Sequence, residues 1–365
     1  MKSSLFSHHR KTCLLQGIVL LTLLLSACSP QRLGEAVLAT ALPPTTAAPS
    51  LPADTGSPVS SATKTPVPSA TTPAPVQNPT STSTAVVLQK ADPAAPTPFA
   101  SHPPVPGDVI NWLVLGSDAR PSEGFHTDVI MLVSIHTSTG KVSVVSFPRD
   151  LYVNIPGWTT NRINTALPHG GFKMLQDTFE YNFGIRPTGY VMTNFQGFKG
   201  LIDNLGGVDV QASKSLSDHC DLPKGASLKP VRGYCNITPG THHMDGATAL
   251  WYVRARYSTS DFDRLRRAQE VVAATFAKLM QGGGAAHLAE LYSQYQKNVE
   301  TNLGVSDLLP LLPIASKVAS DPTLLSRYTV APPAVRGFIN RDKADVQLPD
   351  FTAIQKILEQ AVFTD

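Results

Sequence analysis

The residues able to do chemistry in this 365-residue chain are sparse charges: Asp118, Asp128, the pair Arg149-Asp150, and the basic cluster Arg254, Arg256 and Arg264. Carboxylates can hold a hard metal ion and guanidinium groups can hold phosphate, so the set points to phosphoryl chemistry. Three apolar runs place the first four. Val109 to Leu115, Val129 to Ile135 and Val142 to Phe147 read as strands, with Thr137 to Gly140 as a hairpin turn. If they run up, down and up, then Asp118, Asp128 and Arg149-Asp150 converge on the same edge of the sheet. An isolated Asp is often only a turn or cap residue, a reading that weakens when several meet.

Asp245 to about Tyr252 reads as a helix leading into Val253-Arg254-Ala255-Arg256. Residues two apart share a side only in an extended segment, so an extended reading puts both guanidinium groups on one face. Arg264, Arg266 and Arg267 lie on the first turns of a helix running to about Gln281, interleaved with Asp261 and Asp263. Arg266 suits a solvated helix face with intrahelical ion pairs. Arg254 and Arg256, beside apolar Trp251 and Val253, suit anion binding better. Phe195, Phe198, Ile202 and Leu205 form an apolar helical stripe, and Leu308 to Ile314 supplies another such run; stripes of this kind are usually core.

The chain begins with an address. Lys2, Arg10 and Lys11 precede an apolar run from Leu14 to Ala27, shorter than the roughly 20 residues of a comfortable membrane span but suited to export. Leu25-Ser26-Ala27-Cys28 resembles a bacterial lipobox, which makes residues 1–27 a lipoprotein-type signal peptide and Cys28 the lipidation site; an uncleaved signal anchor is the alternative. From Cys28 to about Pro106 the composition turns to Pro, Thr, Ala and Ser. Such a stretch buries too little apolar surface to offset its ordering entropy and reads as a disordered linker. The remaining stretch, about 260 residues, is enough for one large domain. The net charge of +3 is too small for nonspecific polyanion binding. Cys13 leaves with the signal and Cys28 takes the lipid, so Cys220 and Cys235 remain to bridge a loop in an oxidising compartment. Such a bridge is worth about 3 kcal/mol in the chain-entropy model. Gly282-Gly283-Gly284 lacks the Lys-Ser/Thr of a nucleotide-binding loop.

From Asn111 to about Gln281 the chain resembles the catalytic domain of the LytR-CpsA-Psr proteins. The resemblance rests on Leu115-Gly116-Ser117-Asp118, Thr127-Asp128-Val129-Ile130-Met131-Leu132, Ser146-Phe147-Pro148-Arg149-Asp150 and Arg162-Ile163-Asn164 with Gly170-Gly171. Leu205-Gly206-Gly207-Val208, Asp245-Gly246, Tyr252-Val253-Arg254-Ala255-Arg256 and Asp261-Phe262 with Arg264 and Arg267 follow in order. It implies an α/β fold with a mixed central sheet flanked by helices on both faces. Residues 107–284 would be the catalytic domain and 285–365 a C-terminal part of helices and strands packed on it.

The resemblance further implies an extracytoplasmic phosphotransferase that moves an anionic glycopolymer from a polyprenyl-pyrophosphate carrier to peptidoglycan, forming a phosphodiester link. Asp118 and Asp128 would hold Mg²⁺, with Mn²⁺ able to replace it. Arg149, Asp150, Arg254 and Arg256 would be catalytic. Arg149, Arg162, Arg254, Arg256, Asp261, Arg264 and His126 would bind pyrophosphate, with either Asp150 or Asp128 as general base. His126 departs from the family, which often has arginine two residues before the second aspartate. Histidine can hydrogen-bond a phosphate, although an ordinary imidazole is mostly uncharged at neutral pH. The expected partners are the carrier-linked glycopolymer, peptidoglycan and the outer face of the cytoplasmic membrane through the lipid anchor. Nucleic acid is not among them, since only about ten residues precede the apolar run and a DNA reader needs a basic element in the cytoplasm. The alternatives are a polyprenyl-pyrophosphate hydrolase and a non-catalytic wall-binding, lipid-binding or regulatory module.

Overall fold

Alternation of side chains across three adjacent strands builds the centre of the molecule. The computed structural model describes residues 97–118, 124–281, 292, 296 and 298–364. The signal segment, Cys13, Cys28, most of the linker and Gly282-Gly283-Gly284 lie outside the described residues. β1 (Val109–Ser117), β2 (Thr127–His136) and β3 (Val142–Phe147) form an antiparallel meander, each spanning or extending the run that predicts it. The turn between β2 and β3 closes where Gly140, at φ +76°, donates its N–H to the His136 carbonyl at 2.8 Å. Register pairs Ser117 with Thr127 and Ile130 with Phe147, so the end of β1, the start of β2 and the end of β3 do share one edge.

The chain then folds the hairpin β4 (Tyr152–Asn154) and β5 (Thr160–Arg162), helix α1 (Ala166–Phe183), strand β6 (Gly189–Asn194) and helix α2 (Phe195–Asn204). β7 (Val208–Ala212) pairs with β10 (Gly240–Met244), enclosing the hairpin β8 (Leu216–His219) and β9 (Tyr234–Ile237). Helices α3 (Gly246–Arg254) and α4 (Asp261–Gln281) follow. The last part holds β11 (Glu300–Thr301), α5 (Val305–Leu308), α6 (Leu312–Ser320), β12 (Leu325–Thr329), β13 (Val335–Ile339), β14 (Asp345–Pro349) and α7 (Phe351–Leu358). The central sheet runs β11-β6-β1-β2-β3-β12 and is mixed, because β6 lies parallel to β1 and β12 parallel to β3. No described helix is long and apolar enough to cross a membrane.

Each face of the sheet meets helices. Leu113, Leu115, Ile130, Leu132, Val145 and Phe147 pack against Leu175, Phe179 and Phe183 of α1 and Ile354 and Leu358 of α7. The alternate residues Val114, Met131, Val133 and Val144 turn to the opposite face, where Ala268 and Val272 of α4 cover them. A second core gathers Ile202, Val208, Val210, Leu216, Ile237, Tyr252 and Val271, with Phe198 and Leu205 packed on it. The α2 stripe is therefore mostly core. The Cys220–Cys235 disulfide closes the β8–β9 hairpin beside this cluster.

Two local signals set the elements that carry the arginines. Asp245 caps α3 by accepting the Thr248 N–H at 2.8 Å, and Gly246 is required because a Cβ there would sit 2.4 Å from the Lys199 carbonyl oxygen. Arg267, with no exposed surface, then locks the turn between α3 and α4. Its Nε donates to the Tyr252 carbonyl at 2.7 Å, one Nη to Thr259 Oγ1 at 3.0 Å and the other to the Ala255 carbonyl at 2.5 Å. Removing it strands buried carbonyls, so Arg267→Ala should lower folding stability by about 3 kcal/mol. Urea unfolding of the variant beside the parent chain checks this; an unchanged midpoint would refute the role.

Candidate active site

Strand ends and one loop bring the charges together. Asp118 follows β1, Asp128 is the second residue of β2, and Arg149-Asp150 follow β3 after Pro148. The loop is clamped by backbone bonds: Ile163 N–H to the Leu151 carbonyl at 2.8 Å, Asn164 N–H to the Arg149 carbonyl at 3.3 Å and Gln347 N–H to the Asp150 carbonyl at 2.8 Å. Two of those clamps come from the segment after β5, and the third comes from β14, far along the chain.

Arg149 is the hub. Its Nη1 donates to Asp128 Oδ1 at 2.7 Å, and its Nε lies 3.4 Å from Asp150 Oδ2. The other oxygen of Asp150 lies 3.4 Å from Arg162 Nε, while Arg162 Nη2 donates to the Asp345 carbonyl at 2.6 Å. Both Nε–H groups are buried yet find no hydrogen-bond acceptor, which leaves donor capacity for a ligand oxygen. Burial alone would push the Arg149 guanidinium down; the hydrogen bond to Asp128 and the charges of Asp128, Asp150 and Asp261 outweigh it and hold the pKa above its ordinary value.

Arg264 behaves in the opposite way. It is 8% exposed, and among the described residues no hydrogen-bond or ion-pair partner meets its guanidinium. Burial, then the positive charge of Arg149, push its pKa below the ordinary value, against the pull of Asp261 and Asp128. With Pro148, Arg149, Asp150, Asp261, Phe262, Leu265 and Gln347 it lines a small open cleft. A buried, partnerless cation facing a cleft is arranged for an anion that arrives from outside.

The two arginines of the Val253–Arg256 segment do not share an extended face. Helix α3 continues through Arg254 because Ala255 N–H still bonds the Trp251 carbonyl at 2.9 Å; only Ala255 leaves the helix, at φ −52° and ψ 130°. Arg254 lies over the Phe195 ring, 4.6 Å from its centroid. Phe195 directly follows Asn194, which pairs with Ser117, so Arg254 still reaches the Asp118 edge of the sheet. Arg256 instead turns to Asp261, with Nη2 3.5 Å from Oδ1. His126 sits beside Asp118: its N–H donates to Asp118 Oδ1 at 2.6 Å and its Nδ1 lies 4.0 Å from Oδ2. Arg266 bonds Glu270 Oε1 at 2.7 Å, in keeping with an intrahelical pair. Sequence reasoning missed Gln347 and Leu265 in the cleft, and it gave Phe195 no role as the ring beneath Arg254.

Among the described residues no group of three or more His, Cys, Asp or Glu could cage a metal ion. Asp118 and Asp128 are the residues that could hold Mg²⁺, which prefers one or two carboxylates and completes its shell with phosphate oxygens and water. Asp128 gives one oxygen to Arg149 and Asp118 gives one to the His126 N–H, so each keeps a second carboxylate oxygen whose donor chemistry fits a hard divalent ion.

Solved structures of similar shape include the crystal structure of B. subtilis TagV (TM-score 0.57, 24% identity, 71% of this chain and 98% of that one). TagT bound to LIIa-WTA is another (TM-score 0.52, 22% identity, 73% of this chain and 95% of that one). At these identities the likeness establishes the fold. Among relatives in sequence, Regulatory protein MsrR of Staphylococcus aureus strain Mu50 is 33% identical over 197 residues, 53% of this chain and 56% of its own length. The polyisoprenyl-teichoic acid–peptidoglycan teichoic acid transferase TagU of Oceanobacillus iheyensis is 32% identical over 213 residues, 56% of this chain and 62% of its own length. The chain thus spans a little over half the length of these curated relatives. TagT of Bacillus subtilis strain 168, with the same transferase name, is 30% identical over 244 residues, 65% of this chain and 74% of its own length. The LytR_cpsA_psr family model matches residues 78–357, and the chain belongs to that family.

Proposed function

We propose that this protein is an extracytoplasmic transferase that moves an anionic glycopolymer from a polyprenyl-pyrophosphate carrier to peptidoglycan. The observation that carries the reading is that Arg149, whose Nε–H lacks an acceptor, shares one cleft with Arg264, whose guanidinium has no hydrogen-bond partner among the described residues. Relatives named as teichoic acid–peptidoglycan transferases support the same class of reaction.

A glycan hydroxyl attacks the phosphorus that bears the polymer. The new P–O bond makes the phosphodiester, the bridging P–O bond breaks, and polyprenyl phosphate leaves with the electron pair. Such transfer needs in-line positioning and charge stabilisation more than covalent help from the protein. Arg149, Arg162 and Arg264 bind the pyrophosphate oxygens, Arg254 and Arg256 approach from the α3 end, and Asp261 orients Arg256. One of the two carboxylates beside Arg149, Asp128 or Asp150, takes the hydroxyl proton. Mg²⁺, held by Asp118 and Asp128, would neutralise charge on the pyrophosphate. The energy resides in the donor, so no nucleotide enters. We further propose that Cys28 anchors the chain at the outer face of the membrane and that the linker carries the domain toward the wall.

The test is transfer of a radiolabelled polyprenyl-pyrophosphate saccharide to peptidoglycan oligomers, with Mg²⁺ or with EDTA. Label should appear in peptidoglycan only with the metal, and Mn²⁺ should restore it. Free saccharide phosphate as the sole product would favour the hydrolase, and a bound, unchanged carrier would favour a binding module. Transfer that persists in EDTA would refute the metal assignment.

A further inference from the structure

An aromatic corner begins one residue beyond Arg256. Tyr257 is 86% exposed, yet its backbone is fixed: its N–H donates at 3.0 Å to Asp218 Oδ2, on a side chain only 2% exposed. Asp218 Oδ1 accepts the His219 N–H at 2.7 Å, so one buried carboxylate ties both segments together. His219 and Tyr234 are cross-strand partners in the β8–β9 hairpin, and their rings stack with centroids 4.8 Å apart at 28°. Tyr257 meets His219 at right angles, 5.0 Å and 86°. Trp251 Nε1 adds a bond to the His219 carbonyl at 2.7 Å, and the disulfide closes the same hairpin.

Core packing does not account for this arrangement, because Tyr257 gives most of its surface to water and Tyr234 is 44% exposed. A rigid backbone under exposed rings is what a stacking surface needs, since little ordering entropy remains to be lost on binding. The corner is joined to the cleft through Arg256 and its ion pair with Asp261.

We infer that Tyr257, His219 and Tyr234 form a subsite for the pyranose rings of the acceptor glycan strand, an inference that rests on the transferase reading. Aromatic faces accept the C–H faces of sugar rings, while the phenol hydroxyls and the imidazole reach ring hydroxyls and N-acetyl groups. The face offers two phenols and an imidazole above the buried Asp218 carboxylate. That chemistry suits the ring-built backbone of peptidoglycan.

The full chain is titrated with a peptide-free peptidoglycan tetrasaccharide, without carrier, and binding is followed by saturation-transfer NMR and calorimetry. Tyr257→Ala and Tyr234→Ala should each weaken binding about tenfold or more, as truncation of an aromatic anchor does. Tyr257→Phe should retain it, and affinity for polyprenyl pyrophosphate, which the arginines hold, should persist. In the transfer assay the loss should fall on the acceptor KM. Parent-like affinity in both alanine variants, or no binding of the tetrasaccharide by the parent chain, overturns the subsite. If the tetrasaccharide binds and the alanine variants lose it while no transfer occurs, the subsite stands and the transferase reading falls.

Discussion

Arg149→Ala is expected to lower transfer turnover by about 10²–10³-fold, the range found when one preorganised donor to a developing anion is removed. The size follows from position. Arg149 touches Asp128 at 2.7 Å and Asp150 at 3.4 Å, and it shares the cleft with Arg264. Its removal takes away the central cation and also leaves two carboxylates repelling the incoming pyrophosphate. Arg149→Lys should recover little, because a single ammonium nitrogen cannot span the separate positions that Nη1 and Nε occupy in the guanidinium. Single-turnover rates at saturating carrier, beside melting curves that show both variants folded, decide the point. Turnover within about threefold of the parent chain in Arg149→Ala would remove the residue from the phosphoryl-transfer machinery.

What was legible in the chain followed from periodicity and from short-range chemistry. β1 to β3 could be placed because alternating apolar residues serve two helix-covered faces, and their meander fixed which charges meet. The helix beginning at Asp245 was equally local, and the structure shows that this side chain caps it. The error at Arg254–Arg256 has a physical source: a helix ends where its carbonyls find other partners, and Arg267, thirteen residues beyond Arg254, supplies the bonds to Tyr252 and Ala255. Gln347 and the Asp345 carbonyl were invisible for the same reason at greater range, since β14 reaches the Arg149 loop through backbone bonds that carry no side-chain signature. The aromatic corner escaped notice because Tyr234, His219 and Tyr257 are scattered in sequence and meet only through the β8–β9 register and the Asp218 carboxylate.

Arg264→Leu separates function from stability more sharply than any other change at the site. In the folded chain the surroundings of Arg264 disfavour its charge: burial and the neighbouring Arg149 lower its pKa, and Asp261 and Asp128 only partly compensate. A base whose folded-state pKa lies below its unfolded value binds its proton less tightly when folded, so at neutral pH its charge opposes folding. The shorter, neutral leucine side chain removes that opposition, and buried charged groups replaced by apolar residues commonly leave stability unchanged or raise it by about 1–4 kcal/mol. Arg264→Leu should therefore melt at or above the parent temperature, by roughly 2–4 °C for each kcal/mol gained in a domain of this size. Turnover should nonetheless fall about 10²-fold, because the cleft loses a cation whose guanidinium meets no hydrogen-bond partner among the described residues. Inorganic pyrophosphate gives the third reading: if Arg264 awaits an anion, pyrophosphate should raise the melting temperature of the parent chain and have a much smaller effect on the variant. A variant that melts well below the parent chain would show that Arg264 holds the fold together, and equal stabilisation of both by pyrophosphate would place the anion elsewhere.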